Sequence, residues 1–122
     1  MTADIPDLVH QAIEGIADVK GENTTLLDMR HLDNAVADFF IIAEAQSTTQ
    51  VSAMAGSVEK TCRESLGEKP WHREGLANAT WILLDYVKVV VHLFQRESRE
   101  FYDIEGLWGD AEMTQFNHGG ES

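Results

Sequence analysis

Residues 38–58 read DFFIIAEAQSTTQVSAMAGSV, and this segment decides the fold. Residues 39–43 form a nearly continuous apolar run, which is typical of a strand buried on both faces. Ser47 and Gln50 then have the spacing of a capping box, with Ser47 as the N-cap of a helix that Gly67 closes. The helix carries one apolar stripe, made of Val51, Met54, Ala55, Val58, Cys62 and Leu66. A buried strand followed by an amphipathic helix predicts an α/β fold.

The flanking sequence supplies the remaining elements. A first helix is predicted between Pro6 and Lys20, because apolar residues recur there at helical spacing. Aromatic and β-branched runs predict further strands at residues 24–29, 80–86 and 88–94, with an edge strand at 70–74 and a short helix at 97–102. The fold class is therefore α/β, with a mixed sheet of about five strands and helices packed on it.

Two local features concern the connection between the last two long strands and the C-terminal boundary of the domain. The junction Val87-Lys88 contains no Gly, Asn or Asp, so it predicts an atypical tight hairpin or a bend with a bulge. Residues 111–122 have no apolar period. We therefore expect one domain over residues 1–110, followed by a flexible C-terminal tail over 111–122.

Charge restricts the possible partners. The 122 residues include 9 Lys and Arg against 21 Asp and Glu, a formal net charge of -12. Such a surface repels a phosphate backbone, so we expect no direct binding to nucleic acid, sequence-specific or otherwise. The acidity fits either a basic partner or a surface kept acidic for solubility, and charge alone does not choose between them.

The sequence also indicates a compartment. No apolar stretch approaches the roughly 18 residues of a membrane span. The N-terminus carries acid where a signal peptide carries base. The sole cysteine, Cys62, cannot form an internal disulfide, and its place on the helical stripe predicts a buried thiol. We expect a cytoplasmic protein without a membrane segment.

Catalytic and metal-binding patterns are missing from the sequence. The five histidines are scattered without ligand spacing, and His92, within VVVHLF, is expected to be a hydrogen-bonded core residue. No phosphate-binding glycine loop and no nucleophile elbow occurs. A nucleotidyltransferase would need two carboxylates one residue apart on a strand, whereas Asp28, Asp38 and Asp85 each stand alone. We predict no enzyme activity, no catalytic residue, no metal and no cofactor.

Aromatic residues rimmed by acids offer a candidate binding surface. They cluster in the C-terminal half as Trp71, Trp81, Tyr86, Phe101, Tyr102 and Trp108. Aromatic side chains often dominate the energy of protein interfaces, but they also fill cores. Core packing is the prediction for Phe101 and Trp108. For Trp81 and Tyr86 the residues themselves favour neither role.

The same half of the chain resembles a known family. Residues 81–94, WILLDYVKVVVHLF, followed by residues 99–108, REFYDIEGLW, are similar to the signature of the Iojap family of ribosomal silencing factors. Residues 38–47 resemble the family's aspartate-led strand and Ser-capped helix, and Glu74-Gly75 matches its Glu-Gly turn. The resemblance covers residues 5–111, with two departures: Val87-Lys88 replaces a common Gly-Asp, and Gln50 replaces a common histidine.

The resemblance implies a nucleotidyltransferase-like fold without the catalytic carboxylates, and a homodimer. It implies binding to ribosomal protein L-fourteen on the large ribosomal subunit, where the factor blocks association with the small subunit and represses translation. By position, Trp81 and Tyr86 are the implied contacts to that protein. Strand parity places them on opposite faces unless the chain bends near Asp85. The alternatives are a nucleotidyltransferase-like enzyme and an acidic adaptor with a non-ribosomal partner.

Overall fold

A computed structural model describes residues 4–116 of the chain. The helices are α1 (Asp7–Asp18), α2 (Thr48–Leu66), α3 (Arg96–Tyr102) and α4 (Ile104–Leu107). The strands are β1 (Glu22–Asp28), β2 (Phe39–Ala45), β3 (His72–Glu74), β4 (Trp81–Asp85), β5 (Val89–Gln95) and β6 (Glu112–Phe116). The α/β prediction is confirmed, with six strands in place of about five.

The strands form one mixed sheet in the order β3-β4-β5-β2-β1-β6. Among the strands of residues 4–116, β2 and β5 alone pair in parallel, and they form the centre of the sheet. Both are buried along almost their whole length, as expected for strands covered on two faces. The short, polar β3 lies at one edge, which confirms the predicted edge strand.

The two faces of the sheet carry different layers. One face packs against α1 and α2 and forms the larger core, with Ile41, Ile82 and Val91 fully buried among its members. The other face holds a smaller cluster that includes Phe40, Ile42 and Phe94. It is covered only in part, by the segment between β1 and β2 and by the short helices α3 and α4.

The ends of α2 follow the sequence prediction. The Ser47 hydroxyl accepts a hydrogen bond from the Gln50 backbone N–H at 3.2 Å. Gly67 ends the helix in the left-handed conformation, with φ of 68°. The predicted N-cap and C-cap are both confirmed.

The β4–β5 connection is the tight hairpin predicted as atypical. Val87 has φ of 78°, a conformation that costs a β-branched residue energy and that glycine adopts freely. The Asp85 carboxylate accepts a hydrogen bond from the Val87 N–H at 2.7 Å and holds the turn. The side chain of Val87 is left 59% exposed.

The predicted flexible tail is wrong for residues 112–116. These residues form β6, which pairs antiparallel with β1 over five residue pairs, from Thr24 with Phe116 to Asp28 with Glu112. The segment EMTQF has no apolar run, so its strand character comes from the free edge that β1 offers. Residues 117–122 of the predicted tail lie outside the described residues.

Candidate functional site

Aromatic and aliphatic side chains gather along β4 on the side of the sheet away from α1 and α2. Alternate β4 residues point to this side, and Ile82 and Leu84 point into the helix-covered core. We define the β4 face as Trp71, Trp81, Leu83, Val87 and Tyr102. Trp71 is 79% exposed and Tyr102 is 51% exposed, so the face is open to a partner.

Trp81 is the fixed centre of this face. Its indole Nε1 donates a hydrogen bond to Nδ1 of His92 at 3.1 Å. Its ring stacks on Phe94 with centroids 5.0 Å apart, and Tyr102 lies 4.7 Å away on α3. These contacts hold a half-buried indole in one orientation, which lowers the entropy lost when a partner binds it.

The strand before β4 turns at Gly75, next to Trp81. Gly75 has φ of 83°, and a Cβ placed there would lie 1.9 Å from the Trp81 carbonyl oxygen. A side chain cannot occupy that space without moving the backbone. The turn at Glu74-Gly75 therefore lets the backbone pass close to the Trp81 carbonyl and so helps to position Trp81.

His92 lies beneath Trp81 and is 4% exposed. Burial lowers the pKa of His92 to about 4, so the ring is neutral at neutral pH. Its Nε2 is buried and has no hydrogen-bond partner among the described residues. The prediction of a core histidine is confirmed, but only one of its two nitrogens is satisfied.

An open groove of about 450 Å³ runs beside His92, between β4 and the segment that precedes β2. Its walls are mostly apolar, and Asp85 supplies a carboxylate. The lining residues are Val36, Phe40, Trp71, Leu83, Asp85, Val87, Val90 and His92. Val36 is 74% exposed, so the groove continues the β4 face as an apolar surface.

Tyr86 does not belong to the β4 face. It is 8% exposed and packs in the core on the opposite side of the sheet, where Cys62 of α2 is also buried. Within residues 4–116 its buried hydroxyl has no hydrogen bond of normal geometry, and burial raises the pKa of Tyr86. The structure therefore does not bring the two predicted contact residues together, and the bend that would have joined them is absent from this hairpin.

The predictions for the other two aromatic residues, Phe101 and Trp108, have different outcomes. Phe101 was predicted to be core and is 80% exposed on α3, so that prediction is wrong. Trp108 is half-buried and packs edge-on against Phe40 with ring centroids 6.1 Å apart, so its predicted core role is confirmed only in part. The exposed Phe101 extends the apolar surface beyond Tyr102.

A buried ion-pair cluster that the sequence analysis missed anchors α3. Arg99 is 9% exposed and donates to Glu44 at 3.1 Å, to Glu105 at 2.6 Å and to the Asn23 carbonyl at 2.7 Å. It thereby ties α3 and α4 to the ends of β1 and β2. Because α3 carries Tyr102 onto Trp81, Arg99 positions one end of the β4 face. The only signal in the sequence was an acid, Glu44, inside an otherwise apolar strand.

The strand carboxylates are not assembled into a metal site. Asp28 forms an ion pair with Arg30 at 2.7 Å, and this hydrogen-bonded partner lowers the pKa of Asp28. Asp85 lies on β4, two strands away from β2. Across residues 4–116, no group of three or more His, Cys, Asp or Glu is placed to hold a metal ion. No helix in the same range is long and apolar enough to cross a membrane.

The fold and this face define a class: a small α/β protein with two helices on one side of a mixed sheet and an open aromatic strand on the other. Sequence comparison then names the family. The protein-family model described as "Ribosomal silencing factor during starvation" matches residues 2–121 of this chain. The chain belongs to the family of ribosomal silencing factors.

Individual relatives agree with this assignment. The ribosomal silencing factor RsfS of Halalkalibacterium halodurans is 37% identical over 109 residues, covering 89% of this chain and 92% of that protein. The factor of the same name from Bacillus subtilis is 36% identical over 102 residues, covering 84% and 85%. The chloroplastic protein Iojap of Zea mays is 34% identical over 76 residues, covering 60% of this chain and 31% of that protein.

A solved structure supports the fold. The crystal structure of a Chromobacterium violaceum protein superposes with a TM-score of 0.81 at 33% identity, covering 98% of this chain and 91% of that one. The Iojap resemblance and the α/β fold class are thus confirmed by both sequence and structure.

Proposed function

We propose that this protein represses translation by binding ribosomal protein L-fourteen on the large ribosomal subunit through the β4 face. The bound domain then occupies space that the small subunit needs, and the two subunits cannot join. The mechanism is steric, so it requires no cofactor and no catalytic residue. We propose that the protein acts in the cytoplasm, as a homodimer.

The observation that carries the proposal is the exposed β4 face in a member of the silencing-factor family. Trp71 is 79% exposed and Val87 is 59% exposed, a costly arrangement unless a partner covers them. Trp81 is held beside them in a fixed orientation by His92 and Phe94. Ordered aromatic side chains at the centre of an apolar patch have the properties of interface hot spots.

Charge supports a basic partner. The net charge of -12 favours encounter with a cationic ribosomal protein and opposes contact with bare phosphate. Asp85 brings one such charge into the groove next to the β4 face. A basic side chain of the partner placed there would pair with it at the border of the apolar contact.

Of the two predicted contact residues, Trp81 is retained as a direct contact. Tyr86 is 8% exposed on the other side of the sheet, so we propose that it supports the β4–β5 hairpin from within the core. Residues on the open side replace it in the proposed contact: Trp71, Leu83 and Val87.

Co-sedimentation with separated ribosomal subunits tests the proposal. The protein should migrate with isolated large subunits in a sucrose gradient and stay at the top of the gradient with small subunits. Trp81→Ala should abolish the co-migration, and Thr24→Val, which alters a fully buried β1 residue away from the β4 face, should not. Equal recovery with both subunits would count against the proposal.

A further inference from the structure

The hydrogen-bond pattern of His92 fixes where its proton lies. An indole N–H can only donate, so Nδ1 of His92, 3.1 Å from Trp81 Nε1, must accept. A neutral imidazole that accepts at one nitrogen carries its proton on the other. Nε2 of His92 is therefore an N–H donor, and this donor is buried without an acceptor among the described residues.

A buried donor without a partner lowers stability, because it has lost its hydrogen bond to water and gained nothing in return. The aromatic rings around His92 do not supply an oxygen: Phe40 lies 4.4 Å away between ring centroids, and Phe94 lies 6.4 Å away. The same histidine lines the groove beside the β4 face. The missing acceptor can therefore come from a molecule that enters the groove.

We propose that His92 is a docking residue whose Nε2–H donates to a backbone carbonyl of the ribosomal partner when that partner fills the groove. This inference rests on the proposed function, because it takes the occupant to be a protein segment of the large subunit. Trp81 acts twice in this scheme. It contacts the partner, and it holds His92 in the tautomer that can donate.

The groove selects a neutral oxygen on a protein. Its walls are apolar side chains such as Val36, Leu83 and Val90, which suit an apolar segment. Asp85 is the charged residue among the lining residues, and the chain as a whole is strongly acidic. A phosphate or carboxylate oxygen would be repelled there, and a backbone carbonyl would not.

Docking requires a small movement of the groove. The Nε2 atom has no contact with solvent, so an acceptor reaches it only after neighbouring side chains part. Val36 and Val87 lie at bends outside the helices and strands and are well exposed, which leaves their side chains room to move. Rearrangement of side chains at an interface is common when proteins bind.

The test is a double-mutant cycle on affinity for purified large subunits, measured with protein labelled at its N-terminus with a dye. His92→Phe keeps an aromatic ring and removes the donor, and Trp81→Phe keeps a ring and removes the indole N–H. If His92 acts only by orienting the indole, its substitution has no effect once Trp81 is Phe. If His92 donates to the partner, His92→Phe weakens binding about tenfold when Trp81 is present, equivalent to about 1.4 kcal/mol. It still weakens binding when Trp81 is Phe, by a smaller factor, because the indole then no longer holds the tautomer of His92.

A matched control uses another buried polar atom without a partner. Thr24 Oγ1 on β1 has no hydrogen-bond partner in the described part of the chain and lies away from the groove, so Thr24→Val should leave affinity unchanged. Thermal melts of each variant separate loss of contact from loss of fold. Long-range ¹H–¹⁵N spectra of the free protein should show the proton of His92 on Nε2.

The outcomes separate the two proposals. Wild-type protein that does not bind large subunits overturns the proposed function and the docking role together. Wild-type protein that binds, with His92→Phe binding equally well in the Trp81→Phe background, overturns the docking role alone. A proton found on Nδ1 of His92 in the free protein also overturns the docking role and leaves the proposed function standing.

Discussion

Trp81 and Tyr86 lie five positions apart in the sequence and on opposite sides of the sheet. Trp81 stacks on Phe94 on the open side, and Tyr86 is buried beside Cys62 on the side covered by α1 and α2. Strand alternation separates them, and the hairpin turn begins only after Tyr86. One of them can contact a partner directly, and the other can act only through the fold.

Substitution of each residue should therefore have different consequences. Trp81→Ala should weaken binding to the large subunit by about 2 kcal/mol or more, the size expected for a hot-spot residue. Tyr86→Ala leaves a cavity in the core and should lower the free energy of unfolding by about 3 to 5 kcal/mol. Binding titrations beside circular dichroism melts measure both quantities. A Tyr86→Ala protein that melts like the wild type but fails to bind would contradict this division.

The stability of the protein should depend on pH through His92. The pKa of the folded His92 is about 4, below the ordinary value of 6.5, because burial disfavours the charged ring. As pH falls from 6.5 to 4, the unfolded chain takes up a proton that the folded chain does not. Stability is thus greatest above pH 6.5 and falls by up to about 3 kcal/mol on reaching pH 4.

Urea denaturation at pH 7 and pH 4.5 measures this loss, and His92→Phe is the control. The variant should lose less stability over that interval, since Phe does not titrate. The pKa of Asp28 is lowered by Arg30, so its protonation changes the stability only below about pH 4. Asp28 therefore does not affect the comparison between pH 7 and pH 4.5. An unchanged slope in His92→Phe would show that the histidine is not the titrating group.

Arg99 should be required for the position of α3. Arg99→Met would leave Glu44, whose side chain is 8% exposed, with only the partly exposed Arg96 at 2.9 Å and the Asn23 amide at 3.0 Å as partners. Leaving a buried charge fully unpaired costs about 3 to 5 kcal/mol, and the remaining contacts of Glu44 should keep the loss below that range. Arg99→Lys should recover part of this stability but not the forked contacts with Glu44, Glu105 and the Asn23 carbonyl. The fluorescence of Trp81, which packs against Tyr102, should change in Arg99→Met, and an unchanged spectrum would refute the positioning role.

Much of this structure follows from local sequence. The parts that could not be predicted depend on contacts between distant residues. The ends of α2 were predictable because Ser47, Gln50 and Gly67 act within a few residues of one another. The strand β6 was not, because EMTQF becomes a strand only by pairing with distant β1. Phe101 was misplaced because its exposure depends on how Arg99 docks α3, a contact over long sequence separation.

The candidate site was predictable only in part. Trp81 could be identified as an aromatic residue on a strand, and the alternation of side chains along a strand already placed it on the opposite face from Tyr86. Which side the helices cover, and hence which residue is exposed, is decided by tertiary packing. The pairing of Trp81 with His92 depends on the register that sets Leu83 opposite His92 and Trp81 opposite Phe94. Register of this kind requires the assembled sheet.

The protein should not bind nucleotides. Asp28 is held by Arg30, and Asp85 caps the turn at Val87, so the strand carboxylates are used within the fold. Isothermal titration with ATP and CTP, with and without magnesium, should give no heat of binding. A dissociation constant in the low micromolar range, about -8 kcal/mol, would indicate a nucleotidyltransferase-like site and overturn the binding-protein proposal.

The most direct test of the central proposal is the rate and extent of subunit joining, followed by light scattering after purified small subunits are mixed with large ones. Large subunits preincubated with saturating wild-type protein should fail to join. Trp81→Ala, used at the lowest concentration at which wild-type protein saturates the large subunits, should permit joining, because its weaker binding leaves most of them unoccupied. Joining that proceeds unchanged with wild-type protein shown to be bound would contradict the steric mechanism.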